Sequence, residues 1–180
     1  MQERKMEIVI GIAVAAVIFS SLVIWVLIRL HWKKEFRKCY EAAERMVQEE
    51  YLNYRIHNYG NSSKKPPDKQ KIMVYIKKKG KRGSGYVFDP ARGVQIGRNR
   101  QENDICIQDM MVSGSHCKIF LYQDTVVIQD MGSSNGTVVK RGRHKFSLYG
   151  QSGYLQNRDR IRIGNVWISI RIFYYDLRYM

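Results

Sequence analysis

The sequence predicts an all-β body, an antiparallel sandwich, preceded by a transmembrane helix and an amphipathic juxtamembrane helix. Three observations carry this expectation. An uncharged run opens at Ile8 and closes at Ile28. A stripe of apolar residues in steps of three and four follows it. After Lys71 the pattern changes to short runs of β-branched and aromatic residues, parted by Gly, Asp and Asn.

The uncharged run suits a membrane span, covering residues 1–30 with its flank. A helix of this length, at about 1.5 Å per residue, spans roughly 30 Å, the hydrocarbon thickness of a bilayer. Trp25 and Trp32 fall near one end, where amphipathic rings favour the headgroup layer. A cleaved signal peptide has a shorter apolar core and a small-residue cleavage site. Here the core runs straight into Arg29, His31, Trp32, Lys33 and Lys34. Arg4 and Lys5 precede the run, whereas Arg29, Lys33, Lys34, Arg37 and Lys38 follow it. The positive-inside rule then predicts a single-pass cell-membrane protein whose C-terminal part is cytoplasmic.

Over residues 31–59 the apolar stripe comprises Phe36, Cys39, Tyr40, Ala43, Val47, Tyr51 and Tyr54, with Glu41, Glu44, Arg45, Gln48 and Glu49 opposite. The helix should fade near His57 to Gly60, where Asn and Gly are poor helix formers. Such a stripe can pair with itself in a homodimer or dock on another membrane protein, or the segment is simply a helical stalk continuing from the anchor. Residues 60–71, rich in Ser, Pro and Lys, read as a basic flexible linker. Lys64, Lys65 and Lys69 there would be drawn to anionic lipid by about 1 kcal/mol each.

The formal charge is +15. Charge alone allows nucleic acid, acidic lipid or phosphorylated protein as partners. Residues 60–85 hold nine basic groups against Asp68, so the excess is concentrated on the connector. The absence of an aromatic platform pattern speaks against nucleic acid. Cys39, Cys106 and Cys117 have no repeated spacing and read as reduced thiols. No Cys/His cluster suggests a metal, and no motif calls for a cofactor.

The β-type runs lie at 72–76, 85–88, 93–97, 105–107, 118–122, 125–128, 137–139, 160–163 and 166–172, placing the sandwich at 72–175. Within it, Gly97-Arg98 is followed by Ser113-x-x-His116. Then comes Asp130-Met131-Gly132-Ser133-Ser134-Asn135-Gly136-Thr137. In order and spacing these three motifs resemble the signature of the forkhead-associated (FHA) family. Asn157-Arg158-Asp159-Arg160-Ile161-Arg162-Ile163-Gly164 resembles that family's late strand.

The resemblance implies an eleven-stranded SMAD/FHA-like sandwich that holds a phosphothreonine peptide in loops at 98–103, 109–116 and 132–136. It implies that Arg98, Ser113 and Ser134 contact the phosphate and that Asn135 clamps the peptide backbone. A dianion needs a cation and converging N–H and O–H donors, which these residue types supply. Gly97, His116, Asp130, Gly132, Ser133, Gly136 and Thr137 are implied to structure the loops. Asn135-Gly136 is also a strong tight-turn pair, and both roles can hold. The sequence departs from the family at Gly114, where a polar residue often adds contacts. Met110 and Met111 suggest an apolar preference beyond the phosphothreonine.

The resemblance further implies a membrane-tethered reader of bacterial type. Such a reader would recruit targets of a Ser/Thr kinase, in cell-division or cell-wall regulation. The chain's two threonines, Thr125 and Thr137, both lie in the sandwich, so the ligand is expected from another protein. The alternative is a phosphate-independent adaptor. An enzyme built on Ser113, His116 and Asp130 lacks any further hydrolase context.

Overall fold

The computed structural model describes residues 2–58, 70–78 and 85–176. The expected lysine-rich linker therefore falls almost wholly outside the described residues. By its internal contacts the chain forms two compact units, residues 1–41 and 42–180.

The first helix, α1 (Gln2–His57), is continuous through the expected anchor and the amphipathic segment. It ends where Asn58 closes on the carbonyl of Tyr54 through both its backbone and its side-chain nitrogen, each at 3.0 Å. From Ile10 to Leu30 every residue of α1 is exposed, and the helix is long and apolar enough to cross a membrane.

Among the described residues the β part has eleven strands. They are β1 (Gln70–Lys78), β2 (Gly85–Phe88), β3 (Val94–Gly97), β4 (Ile105–Cys106), β5 (Cys117–Tyr122) and β6 (Thr125–Asp130), then β7 (Thr137–Arg141), β8 (His144–Leu148), β9 (Ser152–Tyr154), β10 (Arg160–Ile163) and β11 (Val166–Asp176). Sheet I has the order β2-β1-β11-β10-β7-β8, and sheet II the order β4-β3-β5-β6-β9. Among the described residues every pairing is antiparallel except β3 with β4, which is parallel, so the expected antiparallel sandwich carries a parallel pair. β1 begins at Gln70, so Gln70 and Lys71 are strand rather than linker. β8 and β9 are additions to the nine runs read from the sequence.

Alternation builds the core. Ile72, Val74 and Ile76 of β1 and Ile161, Ile163, Ile168 and Ile170 of β10 and β11 face Val94, Ile96, Ile119, Val126 and Ile128 of sheet II. Burying each such side chain is worth about 1.5–3 kcal/mol.

Sheet I is also covered on part of its outer face. Met73, Tyr75, Phe173 and Tyr175 point away from that core yet are buried. Residues 42–57 of α1 reach this face at Lys71. Ala43 and Val47 are buried, and the Glu50 carboxylate accepts from Lys71 Nζ at 2.5 Å and pairs with Arg92 at 3.3 Å. Lys71 also donates to Asp89 at 2.9 Å. Burial alone would lower the Lys71 pKa, but its two carboxylate partners outweigh that and hold it above the ordinary lysine value.

Candidate functional site

Three loops meet at one end of the sandwich: β3–β4, β4–β5 and β6–β7. Their backbones are bonded to one another. Arg98 N donates to Ser113 O at 2.9 Å and Asn99 N to Gly114 O at 3.1 Å. Met131 N donates to His116 O at 2.9 Å. Asn103 Nδ2 donates to Asn99 O at 2.6 Å and Gly114 O at 2.7 Å, lashing the first loop to the second. Gly97 has to be glycine at this junction, because a Cβ there would run into Gly114 O and the Asn103 side chain.

Two buried polar side chains hold the loops from beneath. His116 is fully buried. Its Nδ1 accepts from Ser113 N at 3.1 Å, so Nε2 carries the proton and donates to Gly136 O at 3.3 Å. Burial keeps its pKa below the usual histidine value, against the opposing influence of the Gly136 carbonyl and the Asp130 charge. Asp130 is 1% exposed and accepts five hydrogen bonds. They come from Gly132 N (3.1 Å), Ser133 N (2.9 Å), Ser133 Oγ (2.7 Å), Thr137 Oγ1 (2.7 Å) and Gly150 N (2.9 Å). Burial would raise this carboxyl's pKa; the donors, Gly150 N foremost, more than offset it and hold it below the ordinary range. Gly132 and Gly136 sit at φ +76° and +66°, left-handed backbone that side chains resist.

On this frame the predicted ligand-binding residues face outward. Ser113 Oγ accepts from Ser134 N at 3.1 Å, which places the hydroxyl and that amide together at the rim. Arg98, Ser134 and Asn135 are exposed and Ser113 half-exposed. The Arg98 guanidinium has no hydrogen bond or ion pair to a described residue. Asn135 Nδ2 donates to Met111 O at 2.9 Å, leaving its Oδ1 as an acceptor for an incoming backbone N–H. The arrangement offers one cation, hydroxyls and an amide to an anion on an open surface. A Ser–His relay is not formed, since both His116 ring nitrogens are engaged by backbone groups.

The FHA domain family model matches residues 94–164. This chain carries an FHA domain. It is 34% identical over 67 residues to an FHA domain-containing protein of Arabidopsis thaliana, a match that covers 37% of this chain and 17% of that protein. Among solved structures, the FHA domain of the CT664 protein from Chlamydia trachomatis is 24% identical with a TM-score of 0.49, covering 56% of this chain and 98% of that one. The FHA domain of an Arabidopsis thaliana hypothetical protein is 27% identical with a TM-score of 0.49, covering 65% of this chain and 96% of that one. A third, from a structural and functional study of phosphothreonine-dependent FHA domain interactions, is 25% identical with a TM-score of 0.48, covering 56% and 97%.

Within the FHA domain, Asn103 is a loop-structuring residue that the sequence reading passed over; an Asn between two short strands was its only signal. Asp159 is another. It is 1% exposed and paired with Arg141 at 2.7 Å, which ties the β9–β10 connection to β7. A groove of about 320 Å³ lined by Phe120, Tyr122, Val127 and Tyr154 lies on sheet II at the strand ends opposite the three loops, and takes no part in the site.

Proposed function

We propose that the FHA domain binds phosphothreonine peptides of a partner protein, and that the apolar segment of α1 anchors it in the cell membrane with the domain on the cytoplasmic side. The observation that carries the reading is the outward grouping of Ser113 Oγ and Ser134 N, with the Arg98 loop bonded to the Ser113 loop. A phosphate oxygen can replace the Ser113 contact to Ser134 N, and Arg98 supplies charge from a loop that two backbone bonds hold in place. The ligand is a product of a Ser/Thr kinase acting on another protein. Anchoring confines the search to the membrane face and raises the effective concentration of membrane partners. A role in cell-division or cell-wall regulation fits this design. Self-pairing through the amphipathic stripe has less support, because Ala43 and Val47 are already buried within the 42–180 unit. The phosphate-independent adaptor reading is disfavoured by the presence of both Arg98 and Ser113.

The test is retention of a degenerate phosphothreonine peptide library on the full chain in uncharged detergent, beside phosphoserine and unphosphorylated libraries. Selective retention that Arg98→Ala abolishes supports the proposal. Equal retention of phosphorylated and bare peptides moves the assignment to an adaptor.

A further inference from the structure

The outer face of sheet I is divided. At β1 and β11 it holds the buried Met73, Tyr75, Phe173 and Tyr175 beside Lys71, Lys77 and Arg171. Across β10, β7 and β8 it is cationic around the buried Val138. The register places Arg160 opposite Lys140 and Lys140 opposite Lys145, so three cations stand side by side on adjacent strands. Arg162 lies two residues along β10 from Arg160, on the same face. Arg162 and Lys145 are exposed, and Arg160 and Lys140 half-exposed. None of the four is in an ion pair with a described residue. The outward positions of sheet I hold no Asp or Glu among the described residues: they are 71, 73, 75 and 77, 85 and 87, 138 and 140, 145 and 147, 160 and 162, and the odd positions from 167 to 175.

Like charges directly opposed across strands destabilise a sheet. A row of three with no counter-charge therefore points to an anion from outside. The row is also continuous with the proposed site. β7 begins at Thr137, two residues after Asn135, and Arg162 is paired with Val138, the next residue. At about 3.3 Å per residue, Lys140 is at most about 17 Å along the chain from Asn135, the reach of about five extended residues.

We infer that this face binds an acidic stretch of the same partner that supplies the phosphothreonine, so that the domain reads a phosphate and a neighbouring run of carboxylates together. The inference rests on the phosphopeptide reading. Two linked contacts would make the second effectively intramolecular. Arg160 already lies over the Trp167 ring at 5.3 Å, which holds its guanidinium on the face.

The test uses the full chain in uncharged detergent at low salt, with three probes. These are the phosphothreonine library, the same library carrying a six-residue Glu run before or after the phosphothreonine, and the Glu-run library unphosphorylated. The Glu run is expected to tighten phosphopeptide binding about tenfold, as several rim ion pairs would, and 0.5 M salt should erase the gain. The variant Lys140→Gln/Arg162→Gln/Lys145→Gln should keep the short-library affinity and lose the gain. It should also melt no lower than the wild type, because it relieves repulsion. A Glu run that changes affinity less than twofold overturns the inference. So does a variant whose affinities for short and extended probes fall in parallel, or a face that binds anionic vesicles or single-stranded oligonucleotide while ignoring the Glu run. If the short phosphorylated library is not retained at all, the phosphopeptide reading fails instead; the unphosphorylated Glu-run arm then reads the basic face by itself.

Discussion

Asp130 is the side chain on which the site's shape depends most, and Asp130→Ala is the sharpest perturbation of it. The change deletes the acceptor for three backbone amides and two hydroxyls in a place that is 1% exposed. Each buried donor left without a partner costs about 1–3 kcal/mol. The full sum overshoots. The hydroxyls of Ser133 and Thr137 can rotate to other acceptors, and the glycine amides, part-buried, can be reached by water. An expected loss of about 3–5 kcal/mol follows, a large share of the roughly 5–15 kcal/mol that holds an ordinary domain together. Urea unfolding of the full chain in detergent, followed by tryptophan fluorescence, measures it. The acid limb supplies a second measurement. Asp130 has a folded pKa below its unfolded value, so its contribution is complete above about pH 3.8 and is lost as pH falls from there through the folded value. Asp130→Asn should remove that part of the acid dependence while keeping an acceptor for the backbone amides. If Asp130→Ala unfolds within about 1 kcal/mol of the wild type, the carboxylate does not hold the loops together.

Three further outcomes follow from the same geometry. His116 has a folded pKa below its unfolded value, so stability should be constant above about pH 6.5 and decline as pH falls from there toward the folded value; His116→Gln, assayed by urea midpoint against pH, should flatten that slope. Arg141→Ala should destabilise by about 3–5 kcal/mol, because it strips the paired cation from the buried Asp159 carboxylate, and Arg141→Ala/Asp159→Asn should recover much of the loss. Gly114→Asn should fold at least as well as the wild type, gaining about 0.4–1 kcal/mol from the lost glycine entropy. Gly114 does not have positive φ and a Cβ there meets nothing within 4 Å; a drop in melting temperature would show that the loop needs glycine after all.

Much of this protein was legible in residue order because its physics is local. The strands of the core announce themselves by alternation, as in Ile72-Met73-Val74-Tyr75-Ile76, and the loop signature by turn residues at fixed offsets. The helix stop near His57 followed from Asn58 and Gly60. β8 was missed although Phe146 and Leu148 alternate with polar neighbours, because the surrounding Lys, His and Arg masked the period. β9 has three residues and a central Gly, too few for any periodic signal.

Sequence by itself determined which residues could meet an anion and which faces of the strands are apolar, since both depend on residue type and spacing. Tertiary structure alone decided the rest. Asn103 acts on the carbonyl of Gly114, and Asp159 on Arg141, across separations that no local pattern encodes. Met73 and Tyr175 are buried on the side of sheet I away from the core, a face that Glu50 of a distant helix segment reaches at Lys71. The cationic row of Arg160, Lys140 and Lys145 exists only once the register sets three strands side by side. Register and packing are relations between segments, and a sequence states them only through the contacts that folding makes.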